Sequence, residues 1–232
     1  MRILLLAIAA LAALIEIALA QVPGQPGGMQ APDVPRRQRS RPVEETQPAA
    51  APDPRVAEVE RYFNSIRTLQ ARFVQNNPNG SVVQGSLYIR RPGRMRFEYD
   101  APSALKIVAD GTQVTMWDVK TKDFGQWPIG WTAASFLVKE PLQFSGDLRV
   151  ENVERQNGLL SVTLVQARKP QEGRVTIRVS ENPMQLRGWT VVDSRGQRID
   201  VALGNVQQGT QLADSLFRFD GPDPSQMRRT PQ

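Results

Sequence analysis

The chain has 232 residues and a formal net charge of +6, and it contains neither histidine nor cysteine. Those two absences remove Ser-His and Cys-His nucleophiles, Cys/His metal sites and disulfides, so an enzyme here would have to use carboxylates, Lys, Tyr or an unusual Ser. The charge excess is modest and spread along the chain, with no basic helix and no aromatic-basic cluster, which argues against a nucleic-acid surface.

Residues 1–20 carry Arg2, an apolar run over 3–15 and then Ala18-Leu19-Ala20, with small residues at the spacing a signal peptidase needs. This predicts a cleaved secretory signal: the apolar run is short for a bilayer span, and Glu16 interrupts it. No Cys follows, so the chain is not itself lipid-modified. Residues 21–54 are rich in Pro, Gly, Gln and Ala and read as a disordered linker. Its Arg36, Arg37, Arg39 and Arg41 are offset by Glu44, Glu45 and Asp53, which suits a solubilising spacer. Residues 223–232 form a polar tail, leaving one domain over 55–222.

That domain opens with a helix predicted over 55–70, where Val56, Val59, Phe63, Ile66 and Leu69 recur at three- and four-residue intervals behind an Asp53-Pro54 start. The period then switches to two. Strands are predicted over 71–75, 81–90, 95–99, 104–109, 113–119 and 124–128, separated by Pro, Gly, Asn and Asp turns. A short helix over 132–138, with Thr132 as cap and Pro141 beyond its end, interrupts the meander. Strands resume over 148–156, 158–167, 174–180, 186–193 and 197–205, with a last short one over 216–219. The pattern is mainly β with a few helices: a single curved antiparallel sheet of about eleven strands, forming an incomplete, open barrel with a helical lid.

The hairpin over 85–100 constrains the register. Leu87 and Ile89 face one way, as do Met95, Phe97 and Tyr99, with Arg94, Arg96 and Glu98 on the opposite face. A two-residue loop at Pro92-Gly93 would set Ile89 against Arg96 and mix the faces. A three-residue loop of Arg91, Pro92 and Gly93 sets Ile89 against Met95 and Leu87 against Phe97. Arg91 then lies at the strand end, on the apolar side, at the rim of the sheet. Arg90 and Arg94 read as solvated outer-face charges.

One sheet face collects Phe73, Leu87, Ile89, Met95, Phe97, Val114, Met116, Val162, Leu164, Val175, Ile177, Ile199, Val201 and Leu203, to which the helices add Phe63, Ile66, Leu69, Phe136 and Leu137. Two readings are open: a solid core filled by the helices, or a lined cavity for an apolar ligand under a helical lid.

Gly85, Leu87, Arg90, Arg91, Pro92 and Met95, preceded by Phe73 and Gln75, resemble the strand-turn-strand segment of the periplasmic lipoprotein carrier family, LolA. The resemblance continues through Tyr99, Pro102, the Asp110-Gly111 hairpin, Trp117, Asp214 and residues 217–219, covering about 56–221 in order. It departs in the Pro-rich extension before the first helix and in Met95, where the family is often aromatic. The resemblance implies an open barrel whose apolar concave surface holds the acyl chains of lipoproteins, needing no cofactor. Lining residues would come from Phe63, Ile66, Leu69, Phe73, Leu87, Ile89, Met95, Phe97, Tyr99, Met116, Phe136, Leu137, Val162, Leu164 and Ile177. Arg91 would bond lid-helix carbonyls and hold the empty form closed, a role that suits five donors in a fixed fork. The implied carrier is periplasmic and monomeric. Its cargo would be triacylated or diacylated lipoproteins, loaded by an inner-membrane lipoprotein-releasing ABC transporter and delivered to an outer-membrane receptor.

Two other classes are open. A sensor of envelope stress with the same half-barrel would bind mislocalised lipoprotein or a protein partner, but would need a second domain. A carboxylate hydrolase would need a pair such as Asp118 with Asp123, which sit at strand ends between turns.

Overall fold

The computed structural model of the protein describes residues 53–132, 135–221 and 228–229. The predicted signal, the linker up to residue 52 and the rest of the tail lie outside these described residues.

The first helix, α1, spans Pro54–Ser65. Asp53 caps it, its carboxylate accepting from the Arg55 amide at 3.0 Å, and Pro54 occupies the first turn, where its missing N–H costs nothing. Val59 and Phe63 form its buried stripe. The helix ends earlier than its apolar spacing predicts. Ile66 is already extended, and Leu69 belongs to strand β1, Thr68–Asn76. Both stay buried in the same core, but from strand geometry. Strand pairing decides the boundary: Thr68 and Leu69 pair with Arg90 and Ile89, and Leu69 also faces Gln208.

From there the chain meanders through β2 (Val82–Arg90), β3 (Arg94–Tyr99), β4 (Leu105–Asp110), β5 (Gln113–Asp118) and β6 (Asp123–Pro128). A 3-10 turn at Ile129–Trp131 leads to the short helix α2, Ser135–Val138. The Thr132 hydroxyl donates back to the Ile129 carbonyl at 2.9 Å, and the residues between Thr132 and α2 lie outside the described ones. After α2 come β7 (Leu148–Gln156), β8 (Leu159–Gln166), β9 (Gly173–Glu181), β10 (Met184–Asp193) and β11 (Arg198–Gln208). Predicted strand 216–219 is instead covered by a 3-10 turn at Asp214–Phe217, and the two-residue strand β12, Arg228–Arg229, runs parallel to β6.

Among the described residues all twelve strands make one sheet, in the order β12-β6-β5-β4-β3-β2-β1-β11-β10-β9-β8-β7. The ladder from β6 to β7 is antiparallel throughout and the two ends do not pair, so the sheet is an open barrel of eleven antiparallel strands with β12 added at one edge. The hairpin register is that of the three-residue loop: Ile89 lies opposite Met95 and Leu87 opposite Phe97. Gly93 makes this turn possible, with φ +78 and a position where a Cβ would fall 2.8 Å from the Gly111 Cα.

The concave face carries a continuous apolar core, with α1 and α2 packed into it. Aromatic rings run through it from lid to sheet: Phe63 meets Phe136 (6.5 Å), Phe136 meets Trp189 (5.9 Å), Trp189 meets Phe97 (6.3 Å), and Phe97 and Tyr99 both meet Phe73 (5.3 and 5.1 Å). Such tilted and edge contacts contribute roughly 0.5–1.5 kcal/mol each beyond area burial.

The convex face has a second, smaller layer. Residues 212–220 lie across β2–β6 as a clasp. Arg90, predicted to be solvated, stacks over the Phe217 ring at 4.9 Å, donates to the Leu212 carbonyl at 3.2 Å and pairs with Asp214. Arg94 is also drawn to Asp214, at 3.6 Å. Arg96 is buried beneath the clasp, bonding the Leu216 carbonyl (3.2 Å), Glu98 (2.7 Å) and Asp220 (3.1 Å). Burial pushes the Asp220 carboxyl up, but bonds from Lys106 and Arg96 outweigh it and hold it low; Asp214 is lowered mainly by its bond from Arg90. A carboxyl lowered on folding contributes stability present above its unfolded value of about 3.9 and lost as pH falls through the folded one. Acidification below about pH 4 should therefore loosen the clasp first. Hydrogen exchange over 213–220 should accelerate beyond the intrinsic trend while the β1–β2 amides stay protected; equal protection of the clasp at pH 6 and pH 3 would contradict this.

Candidate functional site

The site is built where the β2–β3 turn meets the ends of both lid helices. A helix leaves its last carbonyls without intrahelical partners, and these carry the negative end of the dipole. Here the turn supplies the donors. Gly93 N–H bonds the Val138 carbonyl at 2.9 Å. Arg91 donates through Nη1 to the Phe63 carbonyl of α1 and through Nη2 to the Lys139 carbonyl just after α2. Its backbone N–H bonds the Arg67 carbonyl at 2.8 Å, fixing the strand end against the chain leaving α1. The side chain is buried, and burial pushes the guanidinium pKa down; Glu140 opposes that shift and Arg67 adds to it. An arginine remains a cation under these conditions, so both carbonyl bonds are charge-assisted.

Three further ties join α1 to its surroundings. Asn64 forms a double bond pattern with Leu142, its Nδ2 donating to the carbonyl at 2.9 Å and its Oδ1 accepting from the amide at 2.8 Å. Glu60 accepts from the Phe144 amide. On the other side the Tyr62 hydroxyl accepts from the Leu186 amide at 2.8 Å and from Gln208 Nε2 at 2.5 Å. Leu186 lies beside the β9–β10 register shift, so its N–H depends on this side-chain acceptor. Asn64→Ala would leave the Leu142 N–H and C=O unpaired, at a cost of about 1–3 kcal/mol to the closed arrangement. The expected signature is faster amide exchange at Leu142 with the sheet unaffected; unchanged exchange there would count against the tie.

Each residue expected to line a cavity has a defined place. Phe63, Ile66, Leu69, Phe73, Leu87, Ile89, Met95, Phe97, Met116, Phe136, Leu137, Val162, Leu164 and Ile177 belong to one buried cluster, and Tyr99 packs against it with its hydroxyl 3.1 Å from Gln75 Oε1. In this closed form they are mostly packed on one another. Open space lies to one side, as a cavity of about 360 Å³ between α2 with the chain that follows it and the ends of β8–β10. Phe136, Leu142, Leu148, Leu164, Val175 and Val191 give it an apolar lining, with Lys139, Asp147, Arg168, Glu172, Arg174 and Asp193 among its charged residues. Of the expected lining, only Phe136 and Leu164 border this space.

Sequence reasoning missed Trp189, which stands between Phe136 and Phe97. Its pairing with Val201 and Ile177, both on the predicted apolar face, was the available signal. It also missed Leu142 and Phe144, which are buried in the chain after α2. Asp118 is occupied in its own turn, accepting from the Lys120 and Thr121 amides at 2.8 and 3.0 Å.

Residues 64–220 match the family model described as outer membrane lipoprotein carrier protein LolA. An outer-membrane lipoprotein carrier protein of Legionella pneumophila (strain Lens) is 31% identical over 171 residues, covering 69% of this chain and 82% of that protein. One from Methylococcus capsulatus is 30% identical over 172 residues, covering 69% and 81%. Among solved structures, a LolA-superfamily protein from Nitrosomonas europaea aligns with TM-score 0.41 and 10% identity, over 71% of this chain and 98% of that one. The chain therefore belongs to the LolA family of outer-membrane lipoprotein carrier proteins.

Proposed function

We propose that this protein carries lipoproteins across the periplasm by enclosing their acyl chains between the concave sheet face and the two lid helices, and that it works by binding rather than by catalysis. The observation that carries the reading is the buried Arg91 guanidinium, which joins the ends of both lid helices to the rim of an apolar open barrel.

The energetics suit a carrier that must also release. Burying an acyl chain contributes about 0.8 kcal/mol per methylene, so the cargo cannot stay free in water. The interior is filled in the closed form, so acyl chains must displace the lid and break its bonds. The cost of opening is subtracted from cargo affinity, which keeps delivery feasible without an energy source. The signal over 1–20 would place the carrier in the periplasm. Loading by an inner-membrane lipoprotein-releasing ABC transporter and delivery to an outer-membrane receptor complete the proposal.

Trp189 supplies a direct test, because lid displacement must change its contacts with Phe136. A synthetic triacylated lipopeptide should shift the tryptophan emission saturably, and Trp189→Phe should abolish most of that shift. The unacylated peptide should have no effect. If the acylated and unacylated peptides behave alike, the reading fails.

A further inference from the structure

We infer that Glu140 is the counter-ion that holds the Arg91 side chain in its closed-lid position, with Arg67 fixing Glu140 in place; the inference rests on the latch reading of Arg91. A buried cation normally needs an anion close by, because its desolvation is costly. Yet both acceptors of Arg91 are neutral carbonyls, those of Phe63 and Lys139. The residue next to Lys139 is Glu140. Its Oε1 accepts from Arg67 Nη1, while the Arg67 carbonyl accepts the Arg91 backbone N–H at 2.8 Å. Backbone and side chains thus close a ring through Arg91, Arg67 and Glu140.

The unpaired atoms complete the picture. Among the described residues, Arg91 Nε and Glu140 Oε2 are buried side-chain polar atoms that lack a hydrogen-bond partner. They are a donor and an acceptor on the neighbouring groups of this ring. The field of Glu140 also acts on Arg91, raising the guanidinium pKa against desolvation and against the like charge of Arg67. Lys139 is turned away, its side chain half-exposed with Nζ 4.0 Å from Asp147. Glu140 is therefore the carboxylate placed to offset the burial of Arg91, and it sits on the lid side of the joint while Arg91 sits on the sheet side. Neutralising it should weaken the closed lid just as loss of Arg91 does, though less.

The test is a double-mutant cycle on release. The full-length protein is loaded with a fluorescent triacylated lipopeptide, and transfer to phospholipid vesicles is timed for wild type, Arg91→Leu, Glu140→Gln, Glu140→Asp and the double variant Arg91→Leu/Glu140→Gln. Glu140→Gln keeps the shape of the side chain, and a thermal melt checks that it folds. It should slow release at least roughly threefold, inside the roughly twofold to hundredfold span of couplings within one charge network. Glu140→Asp should recover part of the loss. In the Arg91→Leu background the Gln substitution should add nothing, an outcome a general structural defect would not produce. If Arg91→Leu slows release while Glu140→Gln does not, or if the two effects simply multiply, the counter-ion role is overturned and the latch survives. If Arg91→Leu itself releases at the wild-type rate, the latch reading falls and this inference falls with it.

Discussion

Arg91→Leu should load acylated cargo at least as readily as the wild type and release it tenfold or more slowly. The closed lid holds two charge-assisted bonds from Arg91, one to each helix end, worth about 1.5–3 kcal/mol apiece. Leucine removes both and leaves the Lys139 carbonyl without this donor, while the Phe63 carbonyl keeps the Ile66 N–H at 3.1 Å. A loss of about 3 kcal/mol shifts a two-state equilibrium roughly a hundredfold, since each 1.4 kcal/mol is tenfold. On the proposed reading the loaded form, its lid displaced, would not hold these bonds and would be unaffected. The whole change therefore falls on the empty state, which becomes harder to regain. Arg91→Lys should lie between the two, because a single ammonium lacks the planar fork that reaches two carbonyls at once. Timed transfer from carrier to acceptor vesicles reads the effect directly, and wild-type release by Arg91→Leu would refute the latch.

How much of this was legible in the sequence depends on where each residue's partners lie. The hairpin register was readable because loop parity and the alternation of Leu87, Ile89, Met95 and Phe97 admit only one arrangement that keeps the faces separate. The end of α1 was not. Phe63, Ile66 and Leu69 satisfy a helical interval, while Leu69, Ala71 and Phe73 satisfy a strand interval, and only pairing with β2 and β11 settles it. Arg90 looked like a surface charge because its partners, Leu212, Asp214 and Phe217, arrive from more than a hundred residues downstream. Asn64 and Glu60 read as the polar face of a helix; the backbone they hold, at Leu142 and Phe144, carries no side-chain signature. Arg91 combines both cases. Its rim position followed from register, whereas its carbonyl acceptors could not be read from residue identity, and only the family resemblance had suggested them.

The other large effect should come from a residue with no side chain. Gly85 lies in β2 with Phe73 as its partner on one side and Tyr99 on the other. The Phe73 and Tyr99 rings meet across it at 5.1 Å, and Phe97 packs on Phe73 at 5.3 Å. A Cβ at Gly85 would fall 2.0 Å from the Glu98 carbonyl oxygen and 2.8 Å from the Phe73 ring. The first contact is with backbone held in the β2–β3 ladder, so rotamer changes cannot relieve it. Either the ladder bulges or the aromatic cluster opens. Gly85→Ala should accordingly cost at least about 3 kcal/mol, the upper end for an overpacked core. For a domain of this size that lowers Tm by roughly 6–12 °C. The same displacement would disturb Phe73, Phe97 and Tyr99, three of the rings proposed to receive acyl chains. Lipopeptide affinity should therefore fall together with Tm, whereas Arg91→Leu should slow release without loss of affinity. A Gly85→Ala protein melting within about 2 °C of the wild type would show that the sheet has slack at this point, and that aromatic closure over Gly85 does not limit its packing.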